Sequence, residues 1–126
     1  SRDYMVHRLA DTYLMLAEAQ LKLGKQAEAV AAINMVRVRA AAKGKEENMK
    51  VSEVDMNLIM EERARELAGE QTRWMDLKRW NNLIERVKLY NTDAATGVAE
   101  RHLVRPIPQK QVDLSENGGF PQNAGY

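Results

Sequence analysis

The sequence has no cysteine, and among its 126 residues only two histidines, three prolines and one phenylalanine. Without cysteine there is no disulfide framework and no thiolate nucleophile, yet the compartment stays open because many exported proteins also lack bridges. His7 and His102 are too few and too far apart for a structural zinc set. Charge of one sign is missing too: 19 basic and 18 acidic side chains are interspersed and leave a net charge of +1. No field builds up to hold a phosphate backbone or an anionic membrane, which points away from nucleic acid as a partner. No apolar run is long enough to span a bilayer, and these 126 residues show no signal-sequence pattern. The chain opens with Ser-Arg-Asp just ahead of a helical pattern, which reads as a piece of something longer or as a processed N-terminus.

What is present is an ordinary globular balance, 44% hydrophobic and 29% charged. A chain of this length supports one modest core, so a single α-helical domain over residues 1–126 is expected. Helical spacing puts Met5, Leu9, Tyr13, Leu16, Gln20 and Leu23 on one face, with Ala10, Leu14, Ala17 and Leu21 forming a second apolar stripe beside it. Such a helix is expected to lie between two neighbours. Gly24 supplies a stop, and a second helix follows over about residues 26–42 with Ala29, Val30, Ile33, Val36 and Ala40 inward. The short connection predicts an antiparallel hairpin over about 4–42. Leu16, Ala17, Gly24 and Glu28-Ala29-Val30 resemble the small, large and turn positions of a tetratricopeptide helix pair, with one copy visible. One copy makes no solenoid, so the pair should stack on something.

Residues 43–50 are polar and aperiodic and read as an exposed loop. Ser52, followed by Glu53 and Asp55, is the expected cap of a third helix, and Thr72 of a fourth that weakens at Asn81-Asn82. Together they form a charged helix pair over about 52–89. The stretch 90–126 is expected to be an irregular, extended tail, since Pro106 and Pro108 hold their predecessors away from helix. Such a tail frays unless Phe120 and Tyr126 dock on the helices. Gly118-Gly119 reads as a turn, with no helix after it to make a phosphate cradle.

The stretch 59–80 departs most from a simple amphipathic pattern. Arg63 falls inside the apolar arc of Met56, Met60, Ala64 and Leu67, and Arg73 inside that of Trp74, Leu77, Trp80 and Ile84. A guanidinium without partners costs several kcal/mol to bury, so Glu66, Glu70 or Asp76 should pair with these two in an interhelical ion network. Glu61 and Arg65 read as an exposed pair one turn apart. Glu62, Glu66 and Glu70, also one turn apart, offer a hydrolytic carboxylate pair or a metal site. The interleaved arginines and the absence of a Glu-x-x-His pattern argue against both, so no catalytic residue, metal or cofactor is expected. Trp74 and Trp80 read as core packing ahead of a sugar platform.

Several of these pieces, in order, resemble the C-terminal portion of the SusD/RagB family of outer-membrane nutrient-binding lipoproteins. The residues that carry the resemblance are Leu9-Ala10, Tyr13-Leu14 and Ala17-Glu18-Ala19, then Ile33-Asn34, Arg37, Arg39 and Ala40. They continue with Ile59, Glu62-Arg63, Glu66-Leu67, Glu70, Arg73, Asp76-Leu77 and Arg79-Trp80, then Leu103, Pro106-Ile-Pro108 and Gln122-Asn-Ala-Gly-Tyr126. Ala41 and Gln71 stand where the family commonly has glycine, and Ala124 where it commonly has proline.

The resemblance implies a mostly α fold of tetratricopeptide-like helix pairs, anchored by a lipid on the outer membrane through sequence upstream of this chain. It implies a non-enzymatic scaffold part of a cell-surface glycan-binding protein, partnered with a TonB-dependent, SusC-like porin that receives oligosaccharide or peptide. The ligand-contacting loops would lie upstream, so the resemblance places no ligand-binding residue in this chain. The outer faces of the first two helices are then candidate partner surface. The competing expectation is a stand-alone tetratricopeptide-like module that binds a peptide in its groove.

Overall fold

The computed structural model describes residues 6–115, 119 and 121–126. These are helical, with no strand among them. They group into two compact units, 1–73 and 74–126.

In the first unit, α1 (Leu9–Lys22) and α2 (Gln26–Arg39) form the expected hairpin. The helix starts later than its periodicity suggests. Arg8 is extended at φ −135° and ψ 162°, and its side chain reaches across to Glu66 and Glu70. Tyr4 and Met5 lie outside the described residues. At the other end, Gly24 at φ 73° lets the chain reverse. Its N–H donates to the Leu21 carbonyl at 3.0 Å and that of Lys25 to Gln20 at 2.9 Å, the paired bonds of a Schellman stop.

The core of this unit holds Ala10, Leu14 and Ala17 of α1, and Ala29, Ala32, Ile33 and Val36 of α2. Small side chains on both helices let the backbones approach, so that Leu14 and Ile33 are wholly enclosed. Burying each such side chain is worth about 1.5–3 kcal/mol. The other stripe of α1 is not covered in this way: Leu9 and Leu23 remain 67% and 70% exposed.

The stretch 43–50 is not all loop, since Glu46–Met49 form one helical turn, α3. After it Val51 is clamped by Asn34, whose amide donates to the Val51 carbonyl and accepts from its N–H, both at 2.9 Å. Gln26 donates to the carbonyl of buried Val54 at 2.8 Å. These bonds hold residues 51–54 against α2 and keep Ser52 out of the next helix. The cap of α4 (Met56–Glu66) is therefore Asp55, whose Oδ1 accepts from the Leu58 N–H at 2.7 Å. Ile59, Met60 and Leu67 turn into the core.

Gly69 and Gln71 then take left-handed backbone at φ 82° and 61°. Of Ala41 and Gln71, only Gln71 is left-handed. A non-glycine there costs about 1–2 kcal/mol, part of which glycine's extra unfolded freedom offsets. Gln71→Gly should therefore raise the denaturation midpoint, by up to about 1 kcal/mol of stability.

The expected fourth helix is two helices, α5 (Arg73–Arg79) and α6 (Leu83–Tyr90). The break is at Asn81, left-handed at φ 58°. The N–H groups of Asn81 and Asn82 bond back to Lys78 and Leu77, each at 2.9 Å, a second Schellman stop with asparagine in the glycine's place. Among the described residues of the second unit, Leu77 and Leu83 are the buried apolar ones, while Trp74 and Trp80 are half-buried.

The tail also holds more structure than expected: a 3-10 turn at Glu100–Leu103 and a short helix α7 (Gln109–Leu114) that starts directly after Pro108. Its end docks on the extended segment between them. Gln122 clamps Ile107 as Asn34 clamps Val51, with bonds of 2.7 and 2.9 Å. Asn123 donates to Arg105, and the Tyr126 hydroxyl donates to the Val104 carbonyl at 3.0 Å. Tyr126 thus docks on this extended segment, where docking on the helices was expected. Gly125 is required, because at φ 91° a Cβ there would lie 2.9 Å from that of Arg101. Phe120 and Gly118 lie outside the described residues.

Candidate functional site

The charged stretch is built on α4, with partners from α1 and α2. Arg63 is 5% exposed and its Nη1 lies 2.7 Å from Oδ1 of Asp11, itself 4% exposed. The contact is angled off the N–H direction, so it counts as a close charge pair more than as an aligned hydrogen bond. His7 approaches the other oxygen of Asp11 at 3.0 Å. Burial raises the Asp11 pKa, but Arg63 and His7 outweigh it and hold the carboxyl below its ordinary value.

Glu66 and Glu70, expected beside Arg63 and Arg73, serve Arg8. Its Nη1 meets Glu66 Oε1 at 2.5 Å, its Nε meets Glu70 Oε1 at 2.7 Å, and its Nη2 donates to the Glu66 carbonyl. The bond to Glu66 is the largest influence on Arg8 and holds its pKa above the usual arginine value despite burial. Arg39 adds a second guanidinium on Glu66 Oε1 at 2.5 Å. Glu62 Oε2 receives Arg37 at 2.5 Å and Arg65 at 2.7 Å, so Arg65 meets Glu62 where Glu61 was expected. Asp76 pairs with Arg79 at 3.1 Å. Arg73 donates to the main-chain carbonyl of Met60 at 3.0 Å.

Sequence reasoning therefore placed the two inward arginines but missed Arg8, Asp11 and Arg37 as their neighbours' partners. One signal was available: Asp11 and Glu18 stand seven apart beside Leu14, and both are buried. Among the described residues no three His, Asp or Glu side chains are grouped to hold a metal ion.

Two open cavities of similar size stand out among the described residues. One of about 410 Å³ is lined in the second unit by Asn81, Ile84, Glu85, Lys88, Glu100 and Leu103. The other, about 390 Å³, is lined in the first unit by the turn 67–73 together with Arg63 and Ala64.

The sequence pattern of the SusD family matches residues 1–126, the whole chain. The chain belongs to the SusD family. It is 36% identical over 120 residues to SusD-like protein P25 of Formosa agariphila, covering 91% of this chain and 23% of that protein. It is 32% identical over 141 aligned positions to SusD-like protein P2 of the same organism, covering all of this chain and 26% of that protein. The chain thus spans about a quarter of the length of the curated relatives it matches. No solved structure matches it.

SusD membership gives the geometry a rationale. The acids and arginines that carried the resemblance in residues 37–79 include those that tie α4 to α1 and α2. Those of the C-terminal signature, Gln122, Asn123, Gly125 and Tyr126, hold the tail on residues 101–107. Both sets shape the backbone. No helix among the described residues is long and apolar enough to cross a membrane.

Proposed function

We propose that this chain is the scaffold portion of a cell-surface protein that binds glycans for uptake and does no chemistry of its own. The observation that carries this reading is the SusD family match over the whole chain. The arginine-bound carboxylates support the non-enzymatic half, since Glu62, Glu66 and Glu70 are engaged as ion-pair partners. In the longer protein a lipid would tether the assembly to the outer membrane, and a TonB-dependent, SusC-like porin would receive the oligosaccharide or peptide. The helix pair contributes rigidity, with the Asp11–Arg63 pair fixing how α1 and α4 meet.

Fractionation of the source cells with an antibody raised against this chain tests the reading. The antigen should sediment with the outer membrane and co-precipitate a TonB-dependent porin. Recovery in the soluble fraction without such a porin would overturn it.

A further inference from the structure

Among the described residues, the buried and half-buried arginines of the first unit are answered by carboxylates, with one exception. Arg8 has Glu66 and Glu70, Arg37 has Glu62, and Arg63 has Asp11. Arg73 is half-buried and has the Met60 carbonyl alone. One neutral acceptor uses one of five guanidinium donors and leaves the charge uncompensated. The acids expected to serve it are taken, Glu66 and Glu70 by Arg8 and Asp76 by Arg79.

Arg73 lies on the 390 Å³ cavity, where the other polar lining residues of the turn are Gln71 and Thr72 and the apolar wall is Ala64, Leu67 and Ala68. A planar guanidinium with open donors recognises a carboxylate through two parallel N–H bonds. The volume is that of a small-molecule site. A hydroxyl and an amide can bond ring hydroxyls, and the apolar wall can take the C–H face of a sugar.

We infer that this cavity binds a small carboxylate-bearing ligand, with a sugar acid as the class that matches its lining. The carboxylate half stands on Arg73, and the sugar half rests on the glycan-binding reading above. Binding is weak, roughly millimolar, since a single half-buried, partly solvated charge contact supplies most of it.

The test is an amide NMR titration of the labelled chain with galacturonate, galactose and N-acetylaspartate methylamide. Galacturonate should shift the resonances of residues 67–73 saturably, and galactose should leave them in place. Arg73→Gln should weaken galacturonate by about tenfold or more, and Arg73→Lys should lie between. Because Arg73 also bonds Met60, Ala68→Leu, which fills the cavity from an exposed position, serves as the second variant and should abolish the saturable shifts. Equal shifts with galactose, or none with galacturonate, would overturn the inference. So would N-acetylaspartate methylamide binding as tightly as galacturonate, because the carboxylate belonging there would then be a protein side chain. None of these outcomes bears on membrane recovery or porin co-precipitation, so the two readings fail separately.

Discussion

Replacing Asp11 by Asn is expected to destabilise the chain by about 3–5 kcal/mol, the cost of breaking a buried ion pair by removing one member. Arg63 and Asp11 are 5% and 4% exposed, so water can replace little of what is lost. Against a typical total of about 5–15 kcal/mol, this should lower the melting temperature on the order of 10–20 °C or leave the chain unfolded. Arg63→Met should be similarly harmful, because the buried carboxylate loses its guanidinium and keeps the His7 contact.

The double variant Asp11→Leu, Arg63→Met should regain much of the loss, since apolar pairs of similar volume commonly replace a buried ion pair at little cost. That recovery separates a pairing role from a packing role. If the double variant is as unstable as the sum of the singles, the two side chains act independently and the pair is misidentified.

The same pair sets an acid limit. The Asp11 carboxyl has a lower pKa in the folded chain than its ordinary value, so the folded state binds this proton less readily than the unfolded one. Its contribution is therefore present above the unfolded pKa, about 4. It is lost as pH falls through the lower folded value. Denaturant melts should show stability declining below about pH 4, with a shallower decline in Asp11→Asn. Arg8 has the opposite sign: its raised pKa stabilises throughout the neutral range and is lost only in strong alkali.

The local grammar of the fold was legible in the sequence and its long-range pairing was not. Gly24 announced a helix stop because only glycine enters left-handed backbone without strain, and the stop is there. Asn81 makes an equivalent stop, but asparagine does so by tolerance, and the sequence showed only a weak point. Asp55 could not be told from Ser52 as a cap because the choice depends on Asn34 and Gln26 holding the strap, contacts 17 and 28 residues away.

The charged face follows the same rule. Helical spacing shows which arginines turn inward, a property of one helix. It does not show that Asp11 on α1 pairs with Arg63 or that Glu66 is reached from Arg8, 58 residues away. Expected pairs within one stretch were the natural guess, since neighbours in sequence are the only distances a sequence displays. Arg73, whose expected acids went elsewhere, became informative for that reason.

Glu62 carries the second large effect. Its side chain is 7% exposed, and its Oε2 is shared by Arg37 from α2 and Arg65 from its own helix. Arg37 also donates through Nε to the Met49 carbonyl at 2.6 Å, so one guanidinium joins α2, the α3 turn and α4. Glu62→Gln keeps the shape and removes the charge. Arg37 keeps Met49 and some access to water, whereas Arg65 is exposed and loses little, so the expected cost is smaller than for Asp11, about 2–3 kcal/mol. Arg37→Met in the Glu62→Gln background should add little beyond its lost bond to Met49, and Arg65→Ala should be nearly neutral in either background. Hydrogen exchange should locate the damage: amides of 46–51 and of α4 should lose protection together, because Arg37 is the element they share. Loss confined to α4 would mean that Glu62 stabilises its own helix and does not hold α2 and the α3 turn to it.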